Sequence, residues 1–251
     1  GWKHPADVGV LGAIGPSLRA IDQALAGQAS EEWQAAAAAR RRALAERKAA
    51  DAANYAARLK KAWAREPISM PRVMAELRKG TPADALVVEE SITASLDFAA
   101  NFPIDSPDLY LGARGGGIGQ GVAGAIGAAV ARPGQSVLCI TGDGSAMYSI
   151  QSLWTAAHRK LPIVFAILAN REYRVLKHNL DTYRERFDTG GGVGYPQMDL
   201  GGPHLGFVEM AAGMGVPGVR VAHPDEVAPA IARAFEAGGP QLVEIVIEGK
   251  R

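Results

Sequence analysis

The segment "CITGDGSAMYSIQSLWTAA", Cys139 to Ala157, sets Asp143 between two glycines where an apolar run ends and a helical pattern begins. Gly142 and Gly144 are expected to turn the backbone sharply with its amides exposed. The helix N-terminus behind them adds a positive field, a combination that suits a phosphate. A carboxylate alone in such a turn would repel an anion. It fits if a divalent cation bridges it to phosphate oxygens, because hard Mg²⁺ takes a few protein oxygens together with phosphate. The turn by itself is equally compatible with an aspartate that caps the helix. The next apolar run, "PIVFAILAN", supplies a second oxygen: Asn170 ends it, 27 residues after Asp143, where its amide oxygen is able to share the same cation.

The cluster "GARGGGIGQGVAG" carries Gly119, Gly121 and Gly124 in the dinucleotide-fingerprint spacing, with Asp143 a further 19 residues on. A dinucleotide turn needs its strand to run directly into the first glycine. Here "ARGGGI" intervenes after "LYLG", and Asp143 has a glycine turn of its own, which argues against a nicotinamide or flavin site. Glycines that serve only close helix and sheet packing are the plain alternative.

For Asp143 and Asn170 to converge, both must lie at the carboxyl ends of neighbouring parallel strands. After Pro67 the chain does alternate strands and helices. The runs "ALVVEE", "LYLG", "SVLCITG", "PIVFAILAN", "GVRVA" and "QLVEIVIE" read as strands, and stretches such as "QGVAGAIGAAVA" and "VAPAIARAFEA" read as helices. This predicts an α/β domain over 67–251, an open, mostly parallel six-stranded sheet with helices on both faces. Residues 30–66 contain no Gly and predict one long helical linker, with Ser30 as N-cap and Glu31 and Glu32 in the first turn. Trp33, Leu44, Tyr55, Leu59 and Trp63 form a narrow apolar stripe along it, and "RRR" at 40–42 reads as a solvated face. In residues 1–29, "DVGVLGAIGPSLRAIDQALAG" predicts a short strand, a Gly-Pro turn and a helix ending at Gly27. One strand and one helix cannot bury a core, so they read as the tail of a domain whose body lies elsewhere.

The 251 residues are 48% hydrophobic, and 27 basic against 26 acidic side chains leave a formal charge of +1, which gives no electrostatic case for nucleic acid or membrane as partner. A small molecule is the expected ligand. Cys139, the single cysteine, lies in an apolar run and reads as a reduced core thiol; with no signal-like N-terminus or spanning run, a cytoplasmic location is expected.

Gly-Asp-Gly followed at this interval by an Asn at a strand end resembles the thiamine diphosphate-binding motif of the 2-oxoacid decarboxylase and acetolactate synthase superfamily. "EESITAS", "GARGGGIG", "GDGSAMYSIQSLWTAA" and "ANREYRVL" follow one another as in the benzoylformate decarboxylase family, over about 67–251. The resemblance implies the diphosphate-binding domain of the thiamine diphosphate fold, with thiamine diphosphate and Mg²⁺ as cofactors. Residues 1–29 then correspond to the end of a central domain. Asp143, Asn170 and the backbone carbonyl of Glu172 are the implied metal ligands; Gly142, Gly144, Ser145 and Ala146 meet the diphosphate, with Thr93 and Tyr173 beside it. Ile118 matches the apolar residue that bends the cofactor and so brings its amine to the thiazolium C2, and the Gly116 carbonyl meets the aminopyrimidine.

Two positions depart from the family pattern: Ala169 stands where a first Asn is common, and Ile92 replaces a hydroxyl residue beside Thr93. The activating glutamate belongs to a separate pyrimidine-binding domain, which the chain does not contain; Glu89 and Glu90 do not match it. The implied reaction is decarboxylation of a 2-oxoacid, or related chemistry on a 2-oxoacid or aldehyde, in a dimeric or tetrameric homo-oligomer or with a companion chain that carries the missing domain. An acetolactate synthase-like carboligase and a non-catalytic cofactor-binding fragment are the alternatives. His158, Arg159 and His204 read as surface residues, whereas His178, Val175 and Leu176 lie in a segment that runs toward the substrate pocket in the family. "DTGGGVGYPQMDLGGPHLG" suits a mobile lid over the cofactor, and a disordered loop is equally compatible.

Overall fold

The computed structural model describes residues 4–112, 115–189 and 194–249. The chain divides into two compact units, Gly1–Asn54 and Tyr55–Arg251.

The first unit holds α1 (Ile14–Gln28) and most of α2 (Glu31–Ala62). The Trp33 N–H donates to Ser30 Oγ at 3.2 Å, which makes Ser30 the cap expected of it. The short strand expected before α1 does not form. Val8, Val10 and Leu11 are exposed, and a lone strand in a unit of two helices has no ladder to join. Gly15 and Pro16 do not make a separate turn either: both lie in the first turn of α1, where a missing N–H removes no helical bond. The stripe along α2 is only partly covered, with Trp33 and Leu44 exposed and Tyr55 and Leu59 half-buried.

The second unit continues with α3 (Met70–Gly80), β1 (Leu86–Glu90), α4 (Ser95–Asn101), β2 (Tyr110–Gly112), α5 (Gln120–Ala131) and β3 (Val137–Gly142). Then follow α6 (Asp143–Ala146), α7 (Ser152–Arg159), β4 (Ile163–Ala169), α8 (Arg174–Phe187), α9 (Phe207–Gly213), β5 (Gly218–Val221), α10 (Pro224–Glu236) and β6 (Gln241–Val246). All six expected strands form, in the order β2-β1-β3-β4-β6-β5 with every pair parallel.

Alternation along the strands divides the core between the two faces. Leu138, Ile140, Val164 and Ala166 pack with Met74, Leu77, Phe98 and Ile231 from α3, α4 and α10. Cys139, Phe165 and Ile167 pack with Val122, Leu153 and Phe207 from α5, α7 and α9. Burial pushes the Cys139 thiol up, as befits an inert core group. The chain leaves β1 for β2 on one side and returns to β3 on the other. The carboxyl ends of β1 and β3 therefore form the switch point where a parallel sheet offers a crevice.

Arg72, 4% exposed, ties the second unit together. Its guanidinium donates to Glu76 Oε1 at 3.0 Å, to Asp225 Oδ1 at 2.6 Å and to the Trp63 carbonyl at 3.2 Å, and stacks 3.5 Å from the Trp63 ring centroid. The end of α2, α3 and the first turn of α10 are thereby joined. Removing one partner of a buried pair strands the other charge, so Arg72→Met is expected to cost about 3 kcal/mol or more in urea unfolding. Arg72→Met/Glu76→Leu should recover most of that loss; a double variant as unstable as the single would contradict the pairing.

Candidate functional site

Asp143 directly follows β3 and Asn170 directly follows β4, and the register Gly142 to Leu168 sets the two ends side by side. The Asp143 carboxylate, 3% exposed, accepts the Gly144 N–H at 2.8 Å and the Arg171 N–H at 2.6 Å. It thus grips the residue immediately after Asn170. Burial outweighs these two amides and pushes Asp143 up to about 6. Among the described residues no cationic side chain pairs with it.

The two glycines beside Asp143 do not form a sharp turn with exposed amides. Gly142 is extended at φ −76°, and the Gly144 amide is taken by Asp143 itself. Gly144 is needed for space: a Cβ there would lie 2.7 Å from Tyr173 Cε1. The helix expected to start at Asp143 is also interrupted. A single turn, α6, is followed by tight turns such as Tyr148 N–H to the Ser145 carbonyl at 3.2 Å and Ser149 N–H to the Ala146 carbonyl at 3.1 Å, before α7 begins. The break brings Tyr148 and Ser149 against Gly119.

Beyond Asn170 the chain turns through Arg171, a non-glycine residue at φ +60°. The Asn170 amide oxygen accepts the Glu172 N–H at 3.0 Å, which fixes its orientation. Glu172 bridges to Asp199, with the Tyr173 N–H on the Met198 carbonyl at 2.9 Å and the Leu200 N–H on the Arg171 carbonyl at 2.7 Å. The buried Glu172 carboxylate is committed to Lys177 Nζ at 2.6 Å and Arg174 Nε at 3.4 Å, so the group it has to offer a ligand is its main-chain carbonyl. Lys177 also donates to Asp199 Oδ1 at 2.8 Å; burial pulls its pKa down, but the two carboxylates outweigh this and hold it above the ordinary lysine value.

The loop before α5 bends through Gly115, Gly116 and Gly119, all at positive φ, and presents Ile118, 44% exposed. Glu90, 2% exposed at the end of β1, accepts the Gly119 N–H on Oε1 and the Gly121 N–H on Oε2, each at 2.6 Å. Ser149 Oγ donates to the Gly119 carbonyl at 2.8 Å. On the other face of β1, Glu89 accepts the Ser91 N–H at 2.7 Å and the Tyr110 hydroxyl at 3.2 Å.

Of the other residues singled out, Ser145 and Ala146 are buried in α6, Tyr173 is half-buried on Gly144, and Thr93 is exposed in the 3-10 turn after β1. His178 and Leu176 are exposed on α8, with Val175 half-buried, and His204 is exposed in its loop. Two expectations fall partly outside the described residues: Ala113 and Arg114 of "GARGGGIG", and residues 190–193 of the lid segment. The clamping role of Glu90, the tether from Ser149 and the Lys177 cluster were not anticipated. The signal for the first was an acid ending a fully buried apolar strand, a placement that demands internal donors.

Hard oxygen donors from one carboxylate, one amide and one carbonyl suit a magnesium-sized cation. Each Asp143 oxygen gives one lone pair to an amide and keeps another. Among the described residues no cluster of three or more His, Cys, Asp or Glu that could hold a metal ion forms, so a cation at Asp143 would depend on the amide and main-chain oxygens beside it.

Residues 93–245 match the family model described as thiamine pyrophosphate enzyme, C-terminal TPP binding domain. The chain is 35% identical over 164 residues to benzoylformate decarboxylase of Pseudomonas aeruginosa, covering 65% of this chain and 29% of that protein. It is 30% identical over 173 residues to the acetolactate synthase isozyme 3 large subunit of Escherichia coli, covering 68% and 29%. The thiamine diphosphate-dependent 4-hydroxybenzoylformate decarboxylase of Rhodococcus jostii superposes with a TM-score of 0.65 at 33% identity, over 73% of this chain and 33% of that one. The chain therefore spans about a third of the length of these relatives. It belongs to the thiamine pyrophosphate enzyme family and carries that family's C-terminal cofactor-binding domain.

Proposed function

We propose that this domain binds thiamine diphosphate through Mg²⁺ held by Asp143, Asn170 and the Glu172 carbonyl, and that it serves an enzyme which decarboxylates a 2-oxoacid. The observation that carries this reading is the grip of Asp143 on the Arg171 N–H, which draws a buried, cation-free carboxylate against the amide that follows it in the neighbouring strand end. A cation held there would offset the burial of Asp143 and let a site otherwise hostile to anions accept a diphosphate. When bound, the cofactor supplies an electron sink for the carbanion formed as a carboxylate leaves.

The chain's own residues bind and orient. Ser145 and Ala146 lie on the turn behind Asp143, Tyr173 covers Gly144, and Thr93 faces solvent at the switch point from the end of β1. Ile118 stands exposed on a loop whose positive-φ glycines bring backbone, including the Gly116 carbonyl, close to a ligand. The activating acid lies outside the residues described, and a further protein surface packed on this face would supply it. The large apolar side chains left exposed near the site, Ile118, Met147 and Tyr148, support that reading. Carboligation is the second reading, favoured by the acetolactate synthase match over the same region. No helix among the described residues is long and apolar enough to cross a membrane.

Asp143→Ala should abolish Mg²⁺-dependent binding of thiamine diphosphate in calorimetry while circular dichroism shows a folded domain; undiminished affinity would sink the metal assignment. Ile118→Ala should slow exchange of the cofactor C2 proton in the complete enzyme by about tenfold, with a smaller change in affinity. Unchanged exchange would refute the bending role.

A further inference from the structure

The loop that carries Ile118 is mostly glycine and has little side-chain packing of its own to hold it. Its anchorage comes from two other strand ends. Gly119 is the N-cap of α5 and has no side chain with which to cap it, so Glu90 performs that task from β1. One planar carboxylate holds the Gly119 and Gly121 amides, fixing both position and rotation of the segment, and its charge suits the N-terminus of a 12-residue helix. The fit is close, since a Cβ on Gly121 would lie 2.8 Å from Glu90 Oε2 and one on Gly119 would lie 2.5 Å from Tyr148 Cβ.

The same peptide is held from the other side. Gly119 gives its N–H to β1 and receives at its carbonyl the hydroxyl of Ser149, which belongs to the turns that begin at Asp143. A short, fully bonded path therefore runs from Asp143 through α6, Ser149 and Gly119 to Ile118.

We infer that Glu90 and Ser149 are positioning residues that hold the Gly116–Ile118 loop in register with the Asp143 turn. The ring end of the cofactor and its diphosphate end are thereby seated a fixed distance apart. The inference rests on the cofactor reading above. Neither side chain needs to touch the cofactor. Glutamine cannot replace Glu90, because its amide group offers one acceptor and turns an N–H₂ donor toward the second backbone N–H.

The test compares wild type with Glu90→Gln and Ser149→Ala, using two probes in the presence of Mg²⁺: thiamine diphosphate, which needs both loops, and inorganic diphosphate, which needs only the Asp143 turn. Calorimetry should show thiamine diphosphate weakened about tenfold in Glu90→Gln, and by a smaller factor in Ser149→Ala, with inorganic diphosphate changed less than about twofold. Amide hydrogen exchange at Gly119 and Gly121 should speed up in Glu90→Gln without ligand. Equal weakening of both probes, or no change in either, would reduce Glu90 to a structural residue and overturn the inference. If Glu90→Gln does not fold, the ratio in Ser149→Ala decides. Wild type that binds neither probe would sink the cofactor reading and this inference together, an outcome distinct from wild type that binds both while the variants keep its ratio.

Discussion

A carboxylate buried at the end of a parallel strand has to be compensated, and the region around Asp143 is organised by that need. Two backbone amides are insufficient, for burial still drives its pKa to about 6. Desolvating a charge costs several kcal/mol, and partial hydrogen bonding returns only part of it. On the reading proposed above, a cation delivered with an anionic ligand would complete the balance.

Everything nearby limits how the strand ends can move. The Asp143 bond to Arg171 and the Glu172 bridge to Asp199 lock the chain after β4, and Lys177 and Arg174 neutralise Glu172. Two buried acids at neighbouring strand ends meet different treatments: Glu172 is paired with cationic side chains, and Asp143 accepts two backbone amides. Glu90 shows a third solution: among the described residues its carboxylate is held by two backbone amides.

Much of this was legible in the sequence. Continuous apolar runs marked the central strands β3 and β4 most clearly because strands covered on both faces bury nearly every position, and "QGVAGAIGAAVA" coincides with α5. Gly-Asp-Gly and Asn170 pointed to one spot because strand ends in a parallel sheet are neighbours. What stayed hidden depends on distant partners. Val8 and Val10 have strand-like types but no ladder, and Gly144 is glycine because Tyr173 arrives from 29 residues away. The interruption after Ala146 coincides with Ser149 meeting Gly119, a contact across 30 positions. Local propensity carries no record of such meetings.

The account stands on one claim, that Asp143, Asn170 and the Glu172 carbonyl hold a cation which is bonded to the cofactor diphosphate. Electron–nuclear double resonance on the protein loaded with Mn²⁺ in place of Mg²⁺, together with thiamine diphosphate, tests it directly. The account predicts strong phosphorus-31 coupling to bound Mn²⁺ that disappears when Asn170 is replaced by Ala. Mn²⁺ with no phosphorus coupling, or coupling that survives in that variant, would contradict it.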